Sequence, residues 1–142
     1  AQANAKSLSD RLNTVQKNRS EAYGSIVKNL QDLLTKLGDQ AYETTALQEN
    51  VDTLVSKVDS FNNNMNTYAL AVNDMATVDC ANDPFAFIAS LEAARRAQQL
   101  VIPEIADIRA YITNTIKPSL AQVRSQIESG RTTGGSSRGG SQ

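Results

Sequence analysis

Residues 47 to 75 read LQENVDTLVSKVDSFNNNMNTYALAVNDM, and their apolar spacing determines how the chain folds. Apolar side chains recur through this stretch in alternating steps of four and three residues. They are Leu47, Val51, Leu54, Val58, Phe61, Met65, Tyr68, Val72 and Met75. A mean step of 3.5 residues is the coiled-coil period, so the stretch predicts a long helix with one apolar seam. Other parts of this chain, a second copy, or a different partner are the alternatives for covering that seam.

The composition favours thin helical layers over a thick globular core. The chain has 142 residues, which is one domain's worth, with no His, no Trp and three Phe. Leu, Ile, Val and Ala are the side chains available to seal such layers. We see no convincing strand in the sequence. The predicted fold class is therefore all-α, either an antiparallel hairpin of long helices or a three-helix, coiled-coil-like bundle.

A first helix is predicted over residues 5 to 37, with its own apolar stripe. The stripe consists of Leu8, Leu12, Val15, Ala22, Ile26, Leu30, Leu33 and Leu37. Arg19 interrupts the stripe, and two consecutive steps of four, from Ala22 to Leu30, form a stutter next to Gly24. We expect a local weakening of the helix at that point.

The junction at Gly38 and Asp39 has two interpretations. Gly38 followed by Asp39 is typical of a helix stop and a new N-cap, which predicts a tight turn before a second helix over residues 40 to 78. Alternatively, one helix continues from Ala5 to Asp79 and is roughly 110 Å long at 1.5 Å per residue. The helix-end residues favour the turn.

A third helix is predicted over residues 84 to 129, with Asp83 as N-cap and Pro84 in the first helical position. Its predicted face consists of Ile88, Leu91, Ile102, Ile105, Ile108, Ile112, Ile116, Leu120, Val123 and Ile127. Pro103 and Pro118 are expected to bend this helix without ending it. Residues 1 to 129 form the predicted helical domain, and residues 130 to 142, GRTTGGSSRGGSQ, form a predicted flexible, disordered tail.

Charge differs in sign between the three segments. Residues 39 to 83 carry one base and eight acids, a net of 1 − 8 = −7, whereas residues 1 to 38 and 84 to 142 each carry +3. This pattern predicts that the acidic second helix lies between two basic ones. Asn62, Asn63 and Asn64 lie off the seam and are predicted to face water or a polar neighbour, with a tolerated solvent face as the favoured interpretation.

Catalytic chemistry finds little support in the sequence. Without His, a Ser or Cys nucleophile lacks its usual base, and there is no Gly-rich phosphate loop between a strand and a helix. Cys80 is the single cysteine, so an intrachain disulfide is excluded. Carboxylate pairs such as Glu49 and Asp52 are those of a solvated face. We therefore predict no catalytic, cofactor or metal site, and no enzyme.

The predicted function is that of a structural or assembly protein, acting by helix packing within a larger complex or filament. The predicted interface residues are the nine seam residues from Leu47 to Met75, together with Ile105, Ile112, Ile116 and Leu120. A protein partner or self-association is expected, without nucleic acid, since the net charge is −1. No apolar run is long enough for a membrane span. A lipid-binding amphipathic bundle is the alternative, although Trp and a Lys-rich face, which such a bundle needs, are missing.

Overall fold

The computed structural model describes the backbone of residues 2 to 140 and the side chains of residues 3 to 129. Its elements are α1 (Gln2–Asp39), α2 (Thr45–Thr77), α3 (Pro84–Tyr111), a π-helical turn (Ile112–Ile116) and α4 (Lys117–Gly140). Because α3, the π turn and α4 are continuous, the chain forms three long helices that pack against each other, and the all-α bundle is confirmed. α4 extends past residue 129, where the third helix was predicted to end. The side chains of residues 130 to 142 lie outside the described residues, so the flexibility of the tail stays a prediction.

The chain reverses between α1 and α2, so the alternative of one continuous helix is wrong. The residue with left-handed backbone is Ala41, with φ 62°, while Gly38 is still helical. The N–H of Tyr42 donates to the carbonyl of Leu37 at 3.0 Å, and that of Ala41 donates to the carbonyl of Gly38 at 3.0 Å. These two bonds make a Schellman motif, which satisfies the last carbonyls of α1.

α2 begins at Thr45, later than predicted, and Asp39 is the last residue of α1 and not a cap. Thr44 precedes α2 without a side-chain capping bond. Glu43 supplies the acceptor instead: its Oε1 accepts from the N–H of Thr45 at 2.7 Å. Hydrogen bonding from the side chain of Thr45 and from its N–H lowers the pKa of Glu43, since both favour the charged carboxylate.

The start of α3 is confirmed as predicted. Asp83 Oδ1 accepts from the N–H of Ala86 at 3.0 Å, and Pro84 stands in the first helical position. The helix then continues through Pro103. The loop before it is ordered by Asp79, whose Oδ1 accepts from the N–H of Ala81 at 3.0 Å.

α2 is the central helix of the bundle. It packs against α1 and against α3, whereas no described Cα of α1 comes within 8 Å of a Cα of α3 or α4. Side chains of all three helices nevertheless meet in one core. Tyr23 of α1 packs edge-on against Phe61 of α2, with ring centroids 5.3 Å apart. The bundle is thus closed where α2 meets each neighbour and open along the side between α1 and α3–α4.

The seam of α1 differs from its prediction. Tyr23 is buried and Ala22 is exposed, so the predicted stutter is wrong. Alternating steps of four and three continue through Ala5, Ser9, Leu12, Gln16, Arg19, Tyr23, Ile26, Leu30, Leu33 and Leu37. The polar members concealed this pattern. Arg19 is half-buried and its Nη1 donates to the Tyr23 hydroxyl at 3.4 Å, so it lies within the seam and does not interrupt it.

The seam of α3 also differs at its beginning. Ile88 and Ile102 are 48% and 59% exposed, so their predicted place on the buried face is wrong. The buried residues there are Ala94, Ala97 and Val101. Small alanine side chains form this part of the seam. The prediction assigned the large residues Ile88 and Ile102 to it, but these lie beside the seam.

The π turn explains how the seam continues from α3 into α4. Ile108, Ile112, Ile116 and Leu120 follow one another in three consecutive steps of four, one residue more than alternating steps allow. A π turn accommodates one extra residue, and here the N–H of Lys117 bonds to the carbonyl of Ile112, five residues back. Pro118 directly follows and cannot donate a bond of its own. The apolar face therefore keeps its direction past the proline.

Candidate interaction surface

The predicted seam is covered within the chain. All nine predicted residues of α2 are buried, as is Ile116, while Ile105, Ile112 and Leu120 are half-buried. All thirteen belong to one hydrophobic cluster with residues of α1, α3 and α4. Of the three alternative covers, the structure uses the first: helices of the same chain. The seam itself is therefore not a free surface.

The outer two residues of the asparagine triplet flank the seam of α2 and reach both neighbouring helices. Ser20 Oγ of α1 donates to Asn62 Oδ1 at 2.9 Å. Asn64 Nδ2 donates to Glu104 Oε1 of α3 at 2.9 Å, and Ser60 Oγ donates to the other oxygen of Glu104 at 2.6 Å. A solvent face is thus correct for Asn63 alone, which is exposed, and a polar neighbour is correct for the other two.

A second polar group joins α2 to the continuous third helix. Lys57 Nζ lies 2.7 Å from Asp107 Oδ2 and 5.1 Å from the centre of the Tyr111 ring. The Tyr111 hydroxyl donates to the carbonyl of Asn50 at 3.3 Å, and Asn50 Nδ2 donates to Ser119 Oγ at 2.6 Å. These bonds set the register between α2 and α3–α4, a role often taken by polar groups next to a helical seam.

The charge pattern correctly predicts the order of the helices but not their contacts. α2 does lie between α1 and α3. All eight acidic residues from Asp39 to Asp83 are exposed, however. Among the described residues, the one ion pair between α2 and a neighbour joins Lys57, the lone base of the acidic segment, to Asp107. The carboxylates of α2 therefore form an outward stripe rather than contacts with basic neighbours.

The open side of the bundle is bordered by one edge of α1 and one edge of α3–α4. Ser20 lies on one edge of the α1 seam and hydrogen-bonds to α2. The other edge of that seam therefore faces away from α2. Its apolar residues are Leu8, Val15 and Ala22. Glu104, Tyr111 and Ser119 likewise bond to α2. The opposite edge of that helix consists of Ile88, Arg95, Ile102, Arg109, Lys117 and Arg124. We call this set the mixed edge and the gap between the two edges the open side.

A groove places Arg124, one member of the mixed edge, beside α1. Its volume is about 420 Å³, and it is lined by Leu33 of α1 and by Leu120, Val123, Arg124, Ile127 and Glu128 of α4. Farther from this groove, Val15 is 40% exposed, and Ile88 and Ile102 are exposed still more. The open side thus combines partly uncovered apolar side chains with cations.

The sequence prediction missed this surface, although a signal was present. Arg95 and Arg109 are 109 − 95 = 14 residues apart, or two heptads, with Ile102 halfway between them. Residues at heptad spacing lie on one edge of a helix. Because the prediction assigned Ile102 to the buried face, this edge went unrecognised.

Other kinds of site find no support among the described residues. No cluster of three His, Cys, Asp or Glu side chains is placed to hold a metal ion in that part of the chain. No described helix combines the length and the apolar character needed to cross a membrane. Cys80 is a free, half-buried thiol in the loop between α2 and α3.

Comparisons with known proteins add no relative to this picture. No protein-family model matches the chain, and neither the comparison with curated proteins nor that with solved structures finds a match. A functional proposal therefore rests on the geometry of the bundle and its open side.

Proposed function

We propose that this chain is a non-enzymatic assembly protein that packs its open side against a helix of another protein, within a larger complex or filament. The observation that supports the proposal is the separation of α1 from α3 and α4, which leaves apolar residues of both edges exposed. A helix laid into that gap would complete a four-helix arrangement, since each helix then has two neighbours.

Burial supplies the driving force for such binding. Val15, Ile88 and Ile102 are 40%, 48% and 59% exposed. Burying a fully exposed side chain of this kind contributes about 1.5 to 3 kcal/mol, so covering the half that is exposed here contributes about 1 kcal/mol per residue. The buried seam of α2 makes the bundle self-sufficient, so we expect a monomer whose helical circular dichroism signal survives dilution. The open side, rather than the seam, is then what the molecule offers to others.

A panel of synthetic amphipathic helical peptides tests the proposal. The peptides share one Leu/Ile face and differ only in flanking charge: acidic, neutral or basic. We expect at least one to bind, as followed by fluorescence anisotropy. Ile102→Gln should weaken that binding about tenfold or more, because it removes apolar area from the contact.

Leu70→Gln is the matched control. Leu70 is 57% exposed, close to the 59% of Ile102, but it lies on α2, away from the open side. We expect no effect of this change on binding. If no peptide of the panel binds, or if both variants weaken binding equally, the proposed function is wrong.

A further inference from the structure

We infer that the helix received by the open side is acidic: an amphipathic helix of another protein whose apolar face enters the gap and whose carboxylates meet the mixed edge. This inference rests on the proposed function and adds the chemistry of the partner.

Four cations stand in line along the mixed edge. Arg95 and Arg109 are two heptads apart, and Lys117 and Arg124 are one heptad apart, 124 − 117 = 7. From Arg109 to Lys117 the step is 117 − 109 = 8, one more than a heptad, and the π turn between them accommodates the extra residue. The turn that keeps the apolar seam in phase therefore also keeps these cations in one row.

The cations of this row are largely without acidic partners. All four are exposed. Among the described ion pairs, one involves the row: Arg124 Nε lies 3.0 Å from Glu128 Oε1, in the same helix, with both side chains mostly in water. An exposed pair of this kind within one helix contributes little, so Arg124 can exchange Glu128 for another carboxylate.

The facing edge of α1 does not neutralise the row. Its positions at heptad spacing are Leu8, Val15, Ala22, Asn29 and Lys36, without a carboxylate among them. Asp10, Glu21 and Asp32, the acids of α1 before Asp39, all fall off this edge. In helical assemblies, a basic edge is commonly matched by an acidic edge of its neighbour. In this chain the facing edge of α1 offers no carboxylates to the cations of the mixed edge. An acidic helix of another protein would supply them.

A second copy of this chain fits less well. The acidic stripe of α2 has the right sign, but Leu70 is the one large apolar residue that α2 exposes in the described part of the chain. The acidic stripe of α2 would therefore supply carboxylates but no apolar face to fill the gap between α1 and α3–α4. A lipid surface fits less well too, because the open side includes a concave groove between α1 and α4, with Leu33 and Ile127 among its apolar lining, whereas lipid-bound helices present a convex face with Trp and Lys.

The peptide panel also tests this inference, with a charge-reversed protein. We expect the acidic peptide to bind at least tenfold more tightly than the basic one, and its affinity to fall with added salt. In the triple variant Arg95→Glu, Arg109→Glu, Lys117→Glu the preference should invert in favour of the basic peptide. Arg96→Glu is the matched control, since Arg96 is exposed next to Arg95 but off the mixed edge; the acidic preference should persist there.

Each other outcome overturns the inference in its own way. If acidic, neutral and basic peptides bind alike, the partner is not selected by charge, while the proposed function stands. If no peptide binds, the proposed function fails with it.

If no peptide binds but vesicles of phosphatidylcholine with about one third phosphatidylserine retain the protein, and the triple variant is released, the surface is a lipid site. A concentration-dependent dimer by light scattering that the triple variant abolishes makes the occupant a second copy. Unchanged circular dichroism of the triple variant shows that it is folded.

Discussion

Asn62 and Asn64 stand two residues apart on α2 and hydrogen-bond to opposite neighbours. Asn62 Oδ1 accepts from Ser20 Oγ of α1, and Asn64 Nδ2 donates to Glu104 Oε1 of α3, both at 2.9 Å. Asn63 between them faces away from the seam and is exposed. Three successive identical residues therefore have three different environments, because a step of one residue turns a helix by about 100°. The outer two set the register of both neighbours along α2.

Replacing these asparagines singly should change the free energy of unfolding in opposite directions. Asn64→Ala removes a half-buried bond to a carboxylate, which should lower the free energy of unfolding by about 1 kcal/mol. Asn63→Ala removes nothing but an exposed amide and introduces a better helix former, which should raise it by about 0.5 kcal/mol. Urea unfolding followed by circular dichroism measures both. If Asn64→Ala and Asn63→Ala change the free energy of unfolding by the same amount, the hydrogen bond from Asn64 to Glu104 contributes nothing to stability.

The turn after α1 offers a stabilising substitution. Ala41 has φ 62°, a region that costs a residue with a Cβ roughly 1 to 2 kcal/mol relative to glycine. Ala41→Gly should therefore raise the free energy of unfolding by about 1 kcal/mol, somewhat offset by the greater entropy of glycine in the unfolded chain.

Gly38→Ala provides the comparison for that turn. Gly38 is helical, and a Cβ built there meets nothing within 4 Å. Alanine should raise the free energy of unfolding by about 0.5 to 1 kcal/mol. Thermal unfolding of both variants tests the location of the cap. Stabilisation by Ala41→Gly together with destabilisation by Gly38→Ala would be inconsistent with a left-handed residue at 41 and a helical one at 38.

These positions also show why parts of the fold could be predicted from the sequence and parts could not. The α2 seam was predictable because each of its nine positions holds a large apolar residue. The α1 seam was shifted because Ala22 and Tyr23 are adjacent apolar residues, and because Arg19 occupies a seam position that a count of apolar residues passes over. In α3, Ala94 and Ala97 carry too little apolar surface to reveal their burial beside Ile88 and Ile102.

The turn and the open side depend on information beyond periodicity. Gly38 was the better sequence signal for a helix end, yet the chain reverses at Ala41, where Leu37 and Tyr42 can pair their backbone groups. The gap between α1 and α3 is set by how all three helices pack. Spacing within one helix assigns residues to an edge, but it does not say whether a neighbour reaches that edge.

Tyr68 makes stability sensitive to alkaline pH. The residue is 8% exposed, and burial raises the pKa of the phenol above its ordinary value of 10.0, because the charged phenolate is poorly solvated there. Above that ordinary value the unfolded chain loses this proton before the folded bundle does. The free energy of unfolding should thus be constant with respect to this group below pH 10 and fall as the pH rises further.

Tyr68→Phe isolates this effect from the titration of lysines. Thermal midpoints at several values of pH should show the parent losing stability relative to Tyr68→Phe only above pH 10, which is the ordinary pKa of the group. Tyr42→Phe, in the turn before α2, controls for the general loss of a tyrosine. A gap between parent and Tyr68→Phe that stays constant with pH would show that the phenol of Tyr68 does not titrate differently on folding.

The π turn should respond to the removal of one residue. Deleting Asn114 converts the three steps of four from Ile108 to Leu120 into alternating steps of four and three, which an uninterrupted α-helix can follow. Combined with Pro118→Ala, which restores the missing backbone donor, the deletion should cost less than about 1 kcal/mol in the free energy of unfolding.

Deletion of Asn63 is the matched control, because it also removes one exposed asparagine from a long helix. The seam of α2 already alternates, so this deletion turns half of its buried residues away from the core, and several lost core contacts should cost more than about 4 kcal/mol. Circular dichroism with urea unfolding compares the two. If deletion of Asn114 destabilises the bundle as much as deletion of Asn63 does, the π turn does not serve to accommodate one extra residue. The π turn then has another cause in the packing of α4.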